Sequence, residues 1–311
     1  MIGFPPGARA GIIGAMPIRP FRLADAPALA ALAVDCARGD TDFVLNPLWE
    51  STDELNAEFA RFGISPQEHL LVADGGDDGH VQGMVGFLRR PGDRSAGMLC
   101  PIVHRGERGR GIGGELLRAA QRHGAAQLGI DLVTAGVGTR NRGGYALLTS
   151  HGFRPVRQAY VMKCEREPAV PELPIAGLAI EPAHPDDAEA ILELYLSCGF
   201  ESRSEARMRE VQGDGRHAHA VARRGGEIVA FVELETHWPQ RPWVAFVGVT
   251  KELRDRGLGS SLVAWLLARQ FAAGAKAALL ALSPANRTAL RAYEKVGFRR
   301  FRLIDALERK L

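Results

Sequence analysis

Apolar residues recur with two different periods along this chain, and the whole succession of periods occurs twice. Ile18 to Leu23 predicts a short strand, and Ala26 to Cys36 an Ala/Leu-rich helix with Asp25 as its cap and Pro27 in its first turn. Paired strands follow at 70–73 and 81–88, joined by the Gly/Asp-rich residues 74–79, and a third strand runs to Val103. Ile112, Leu116, Leu117 and Ala120 then mark an amphipathic helix; a strand over 131–137 and a short helix from Asn141 to Gly152-Phe153 close the series. The second series has a strand at Ile180, a helix from Asp187 to Cys198, strands at 218–222 and 228–235, and a strand ending at Val249. Leu258, Leu262 and Leu266 mark its amphipathic helix, followed by a strand at 277–282 and a helix from Asn286 to Gly297-Phe298.

Ile18 with Ile180, Pro20 with Pro182, Asp25 with Asp187 and Cys36 with Cys198 keep one offset; Arg108 with Arg254 keeps a shorter one. The chain therefore reads as an internal duplication whose first copy carries about 16 extra residues between its first helix and Arg108. Asp40 to Pro66 is the expected place, with a helix capped near Ser51 or Thr52. The expected domains are a loose tail over 1–15, a first unit over 16–164, a Pro-rich linker over 165–176 (Pro168, Pro171, Pro174) and a second unit over 177–311.

At 311 residues the chain is long enough for two cores. A net charge of +3, with arginines scattered among acids, argues against nucleic acid as a partner. No apolar run approaches the ~18 residues that span a bilayer, and the N-terminus lacks a signal-peptide plan. Cys36, Cys100, Cys164 and Cys198 are spaced as buried thiols, not as a disulfide frame or a zinc site. The expectation is a cytoplasmic protein with no metal, no membrane and no nucleic acid, monomeric or homodimeric.

The chemistry-bearing stretch is Val247-Gly-Val-Thr-Lys-Glu-Leu-Arg-Asp-Arg-Gly-Leu-Gly-Ser. A strand passes through Arg254-x-x-Gly257-x-Gly259 into a helix. Glycines admit close backbone approach there, and the first helical N–H groups favour an anion. The first copy repeats the phrase at Val103-His-Arg-Gly-Glu-Arg108-Gly109-Arg110-Gly111-Ile-Gly113-Gly114. Gly109-x-Gly111-x-x-Gly114 with Asp131 downstream also fits a dinucleotide fingerprint, but the second copy does not, and hairpins precede both turns.

With the Asn286-x-x-Ala289-x-x-x-Tyr293-x-x-x-Gly297-Phe298 helix, this order of elements resembles the GCN5-related N-acetyltransferase (GNAT) superfamily, twice over from Ile18 onwards. The resemblance implies an α/β (α+β) fold: two tandem GNAT domains, each a mixed, mostly antiparallel, splayed central sheet flanked by helices. It implies acetyl-CoA as cofactor, with its pyrophosphate on Arg254, Asp255, Arg256, Gly257, Leu258, Gly259 and Ser260. Pantetheine would lie along Val247 to Val249, with Asn286 in reach. Val103, Arg108, Gly109, Arg110, Gly111, Gly113 and Gly114 are the corresponding set in the first copy. Tyr293 matches the position of the family's general acid; a tyrosine packed against Phe298 fits the residues too. Glu233 and Glu235 share one strand face and are either the base side or a solvated face. His237, Trp238 and Trp243 follow on the next loop. The first copy has Leu148 where the second has Tyr293, so it reads as degenerate: scaffold, or CoA binder without turnover. The duplicated layout resembles the mycothiol synthases, which acetylate a cysteinyl amine on a sugar–inositol. A small-molecule amine is the expected partner; protein N-acetylation and a CoA-binding sensor or scaffold without turnover are the alternatives.

Overall fold

The structure is a computed structural model that describes residues 17–76, 80–173, 175–200 and 203–311. The tail expected over 1–15, part of the 74–79 connection and Pro174 lie outside the described residues. The first half runs β1 (Ile18–Pro20), α1 (Ala26–Ala37), α2 (Thr52–Phe62), α3 (Pro66–His69), β2 (Leu70–Asp74), β3 (Val81–Leu88), β4 (Ser95–Val103), α4 (Ile112–Ala126), β5 (Leu132–Gly138), α5 (Arg142–Ser150) and β6 (Arg154–Cys164). The second repeats it as β7 (Leu178–Pro182), α6 (Ala188–Ser197), α7 (Glu205–Gly213), β8 (His217–Arg224), β9 (Glu227–Glu235), β10 (Trp243–Val249), α8 (Leu258–Ala272), β11 (Ala278–Leu282), α9 (Arg287–Val296) and β12 (Arg299–Lys310).

Local chemistry sets most of these boundaries. Ser51 caps α2 by accepting the Glu54 N–H, and Gly63, at φ 67°, ends it. Asn141 and Asn286 cap α5 and α9 by accepting the N–H groups of Gly144 and Ala289. Asp25 stands at the head of α1 as expected, but its carboxylate makes no bond to that helix. It accepts the Arg22 N–H of the preceding 3-10 turn and pairs with Arg19. Pro27 removes one of the donors such a cap would serve. The four thiols are free, three of them buried and Cys198 half-buried. Among the described residues no helix is long and apolar enough to cross a membrane.

All twelve strands join in one sheet, in the order β1-β2-β3-β4-β5-β12-β6-β11-β10-β9-β8-β7. The halves exchange their last strands. β12 lies between β5 and β6, pairing with β5 from Ile304↔Gly138 to Lys310↔Leu132, while β6 pairs with β11 from Ala278↔Cys164 to Leu282↔Tyr160. Each half therefore completes its sheet with a strand from the other, and the β6–β12 ladder joins the two. Ile304 and Leu307 of β12 are buried in the first half's core, and Met162 and Cys164 of β6 in the second's. The apolar residues that these strands bury make the exchange an extension of each core.

Candidate active site

In the second half β10 runs into Arg254 and the turn before α8. The Arg254 side chain folds back, its Nε donating to the Val249 carbonyl at 3.0 Å and its guanidinium reaching the Cys198 Sγ at 3.6 Å. Gly257 has φ 85°, and Asp255 holds φ 61° as a non-glycine residue. This twist aims the unpaired N–H groups of the first turn of α8 outward, the usual geometry of an anion cradle. A Cβ on Gly259 would touch Val249 at 3.5 Å and Val247 at 3.6 Å, so glycine keeps the cradle floor low. The Ser260 hydroxyl donates to the Ala292 carbonyl at 3.4 Å, tying α8 to α9. Leu258 is buried beneath the turn, and Arg256 is exposed outside the cleft.

The expected splay is present. β10 and β11 pair in parallel at Trp243↔Leu279 alone, and a bulge between Val244 and Phe246 turns the strand away. Beyond it, the edge of β10 facing β11 has no ladder partner among the described residues. The opening is a cavity of about 500 Å³ lined by Phe200, Val247, Val249, Gly259, Asn286 and Tyr293, among others. An unpaired strand edge leading to a helix N-terminus suits an extended amide chain ending in phosphate, so these residues fit acetyl-CoA. Tyr293 is half-buried, its ring edge-on to Phe298 at 5.7 Å, and burial pushes its phenol up to about 12. The packing role and the cleft-lining position hold together.

The first half keeps the frame. Gly109 and Gly111 have φ 80° and 84°, and Arg108 Nε donates to the Val103 carbonyl at 3.1 Å. Gly113 and Gly114 open α4, while Arg110 pairs with Glu107 at 2.7 Å. A cavity of about 380 Å³ lies between Val103, Arg108, Gly109, Gly111, Gly113, Gly114 and Asn141. Its inner end is closed. The segment Phe43–Asn46 threads between β4 and β5: the Gly138 N–H donates to Phe43 O, the Leu45 N–H to Gly136 O and the Cys100 N–H to Asn46 O, with a bridge at Val44↔Val137. Leu148 is buried against this cavity, and Tyr145 is not part of its lining. Asp131, the acid of the dinucleotide reading, pairs with Arg94 on the exposed surface and does not line the first cleft.

The two carboxylates of β9 differ in surroundings. Glu233 is 1% exposed; it receives both guanidinium arms of Arg203, the second at 2.7 Å, and the His217 Nδ1 lies at 3.1 Å. His219 Nε2 is 3.4 Å away. Burial alone would raise this carboxyl, but Arg203, His217 and His219 outweigh it and hold it far below the usual carboxylate range. Arg203 also stacks at 4.7 Å over Phe246, the cross-strand partner of Glu233, and Val247 beside it lines the cleft. Glu235 pairs with Arg61 of the first half at 2.7 Å. His237 and Trp238 are buried against the first half. Arg203, His217 and His219 carry no motif, since they stand 30, 16 and 14 residues before Glu233.

The family profile of the acetyltransferase (GNAT) family matches residues 36–153 and 188–298. The chain belongs to that family. It does so in tandem, as an acyltransferase. It is 28% identical to a mycothiol acetyltransferase of Thermobispora bispora over 92% of this chain and 96% of that protein. It is 31% identical to one of Mycobacterium avium over 76% of this chain and 82% of that one. Among solved structures, a GCN5-related N-acetyltransferase from Sphaerobacter thermophilus superposes with a TM-score of 0.77, at 22% identity and over 94% of this chain and 95% of that one. A tandem GNAT protein from the clavulanic acid biosynthesis pathway gives a TM-score of 0.72 at 18% identity, covering 94% and 98%. These likenesses carry the fold of this GNAT chain across both halves.

Proposed function

We propose that this protein transfers an acetyl group from acetyl-CoA to a primary amine of a small molecule, and that the second half does the chemistry. One observation carries the reading: Tyr293 lines the open splay of the second half, where the first half has Leu148 and a filled splay. Acetyl-CoA bound there supplies an acetyl thioester. The turn from Arg254 to Gly259 holds the phosphates, and the free edge of β10 orients the arm. With acetyl-CoA bound, the deprotonated amine nitrogen would bond to the acetyl carbon as the C–S bond breaks; Tyr293 would give its phenolic proton to the departing sulfur and take in its place the second proton that the new amide nitrogen sheds. Because burial keeps this phenol protonated, it acts as a hydrogen-bond donor to developing thiolate charge and transfers the proton late.

The ammonium proton leaves on the side of Glu233. A carboxylate held low by Arg203 is a poor acceptor by itself; its part is to orient His217 and His219, which are buried behind the cleft wall rather than lining it, so that an imidazole takes the proton through water. Glu235, neutralised by Arg61, is the weaker candidate. The kinship with mycothiol acetyltransferases favours a cysteinyl amine on a sugar as acceptor, with amino-sugars next. The work is divided between units near 16–164 and 177–311 that share one sheet. A thermal-shift measurement with acetyl-CoA, followed by thiol release against cysteinyl-glucosamine, glucosamine and an aminoglycoside, tests the reading. Stabilisation by acetyl-CoA and turnover of at least one amine are expected; no stabilisation would overturn it.

A further inference from the structure

The segment that distinguishes the two copies does more than fill the first cleft. Its helix, α2, grips the loop between β9 and β10 of the other half. Glu58 and His237 are 5% and 7% exposed and meet at 2.9 Å across the halves. Trp238 Nε1 donates to the Glu54 carbonyl at 2.9 Å. Arg241 binds the Glu54 carboxylate, Glu50 at 2.8 Å and the Leu48 carbonyl at 2.8 Å. Arg61 holds Glu235 at 2.7 Å, and Arg216, from the loop before β8, donates to the Ala60 carbonyl at 2.7 Å.

These grips converge on the fork of the second cleft. Glu235 is the cross-strand partner of Trp243, and Trp243↔Leu279 is the pair beyond which β10 and β11 separate. Glu233, two residues before Glu235 on the same face, sits opposite the bulge. We propose that α2 is a positioning element acting across the halves: through Arg61–Glu235 and Glu58–His237 it fixes the fork and the Glu233 cluster where the amine arrives. The cofactor end, formed by α8 and α9 within the second half, is independent of it. The inference rests on the second cleft being the reacting one, and it makes the first half a working part of that site.

The test uses the full chain with Arg61→Met, Arg61→Lys and Glu58→Gln. Three readouts are followed: KM for cysteinyl-glucosamine, KM for acetyl-CoA, and amide hydrogen exchange over 235–243. Arg61→Met and Glu58→Gln are expected to raise the amine KM about tenfold while the acetyl-CoA KM stays within about twofold, and Arg61→Lys to recover most of the loss. Exchange should quicken over 235–243 and not in α8. Unchanged amine KM with unchanged exchange would overturn the proposal, as would equal losses at both substrates. If the wild-type chain turns over no amine, the functional reading fails instead, and the exchange comparison still decides whether α2 holds the fork.

Discussion

The two clefts share a backbone frame and part at three side chains and in what fills the splay. Gly109 and Asp255 hold the same left-handed twist, at φ 80° and 61°, and Arg108 and Arg254 both bond the last carbonyl of the strand before the turn. Counting along the sheet from Gly83↔Val103 and Ala230↔Val249, Glu233 corresponds to Gly86, where a Cβ would lie 2.5 Å from the His69 carbonyl. The position of Tyr293 is Leu148. Val247 corresponds to Pro101, which has no N–H to offer an extended ligand. The splay itself holds Phe43–Asn46 in the first half and is open in the second. A phosphate cradle survives by backbone geometry alone, which tolerates sequence drift. The proton chemistry proposed for the second cleft needs Tyr293, the Glu233 cluster and a free strand edge, and the first copy has Leu148, Gly86 and a filled splay in those places.

The largest expected effect is on the buried pair of the second cleft. Arg203→Met leaves Glu233 charged and without its bidentate partner, and should cost roughly 3–5 kcal/mol in urea unfolding. A loss below about 1 kcal/mol would mean the cluster is solvated. The contrasting change in the first cleft is Phe43→Ala. Phe43 is fully buried and should cost about 3–5 kcal/mol, whereas Phe200→Ala, at the half-buried wall of the second cleft, should cost clearly less. Equal costs would make the filling segment a removable lid and weaken the contrast.

Much of this frame was legible in the sequence because it is local. The Arg-x-x-Gly-x-Gly turns, the Asn caps and the Gly297 stop are written within a few residues, and Tyr293 stands at a fixed distance from Asn286. The strand exchange was not legible: β6 and β12 have similar patterns, and nothing local says which neighbour each will pair with. The Phe43–Asn46 segment has no periodicity, so its pairing with Gly136 and Gly138 is a tertiary fact. From the sequence Glu233 is either the base side or a solvated face of its strand; it is buried instead, because its ion pair depends on Arg203, from a loop, and two histidines of the adjacent strand.

A pH series separates the clefts next. Glu233 has its carboxyl depressed in the folded chain, so its contribution to stability is present above the ordinary glutamate pKa of ~4.3 and is lost as pH falls through its folded value. Tyr293 is raised to about 12 against an ordinary ~10, so its proton favours the folded state and that contribution is lost as pH climbs through this alkaline window. Tyr293→Phe should flatten the alkaline loss, and Leu148 has no counterpart to it. An unchanged alkaline profile in Tyr293→Phe would place the phenol in water.

The smallest effect is expected at Asp255. Replacing it with the residue of its twin, Asp255→Gly, relieves a left-handed non-glycine residue and should change stability by no more than about 1 kcal/mol, in the stabilising direction, with acetyl-CoA affinity retained. A marked loss of affinity would give the Asp255 side chain a role its twin lacks.

The most direct test of the account is kcat for thiol release from acetyl-CoA with cysteinyl-glucosamine, compared between the wild-type chain and Tyr293→Phe, with acetyl-CoA affinity followed in parallel. A fall in kcat of about 100-fold or more at unchanged affinity is expected, the range for losing a positioned proton donor. Undiminished kcat in Tyr293→Phe would contradict it, and would move the chemistry away from the second cleft's tyrosine.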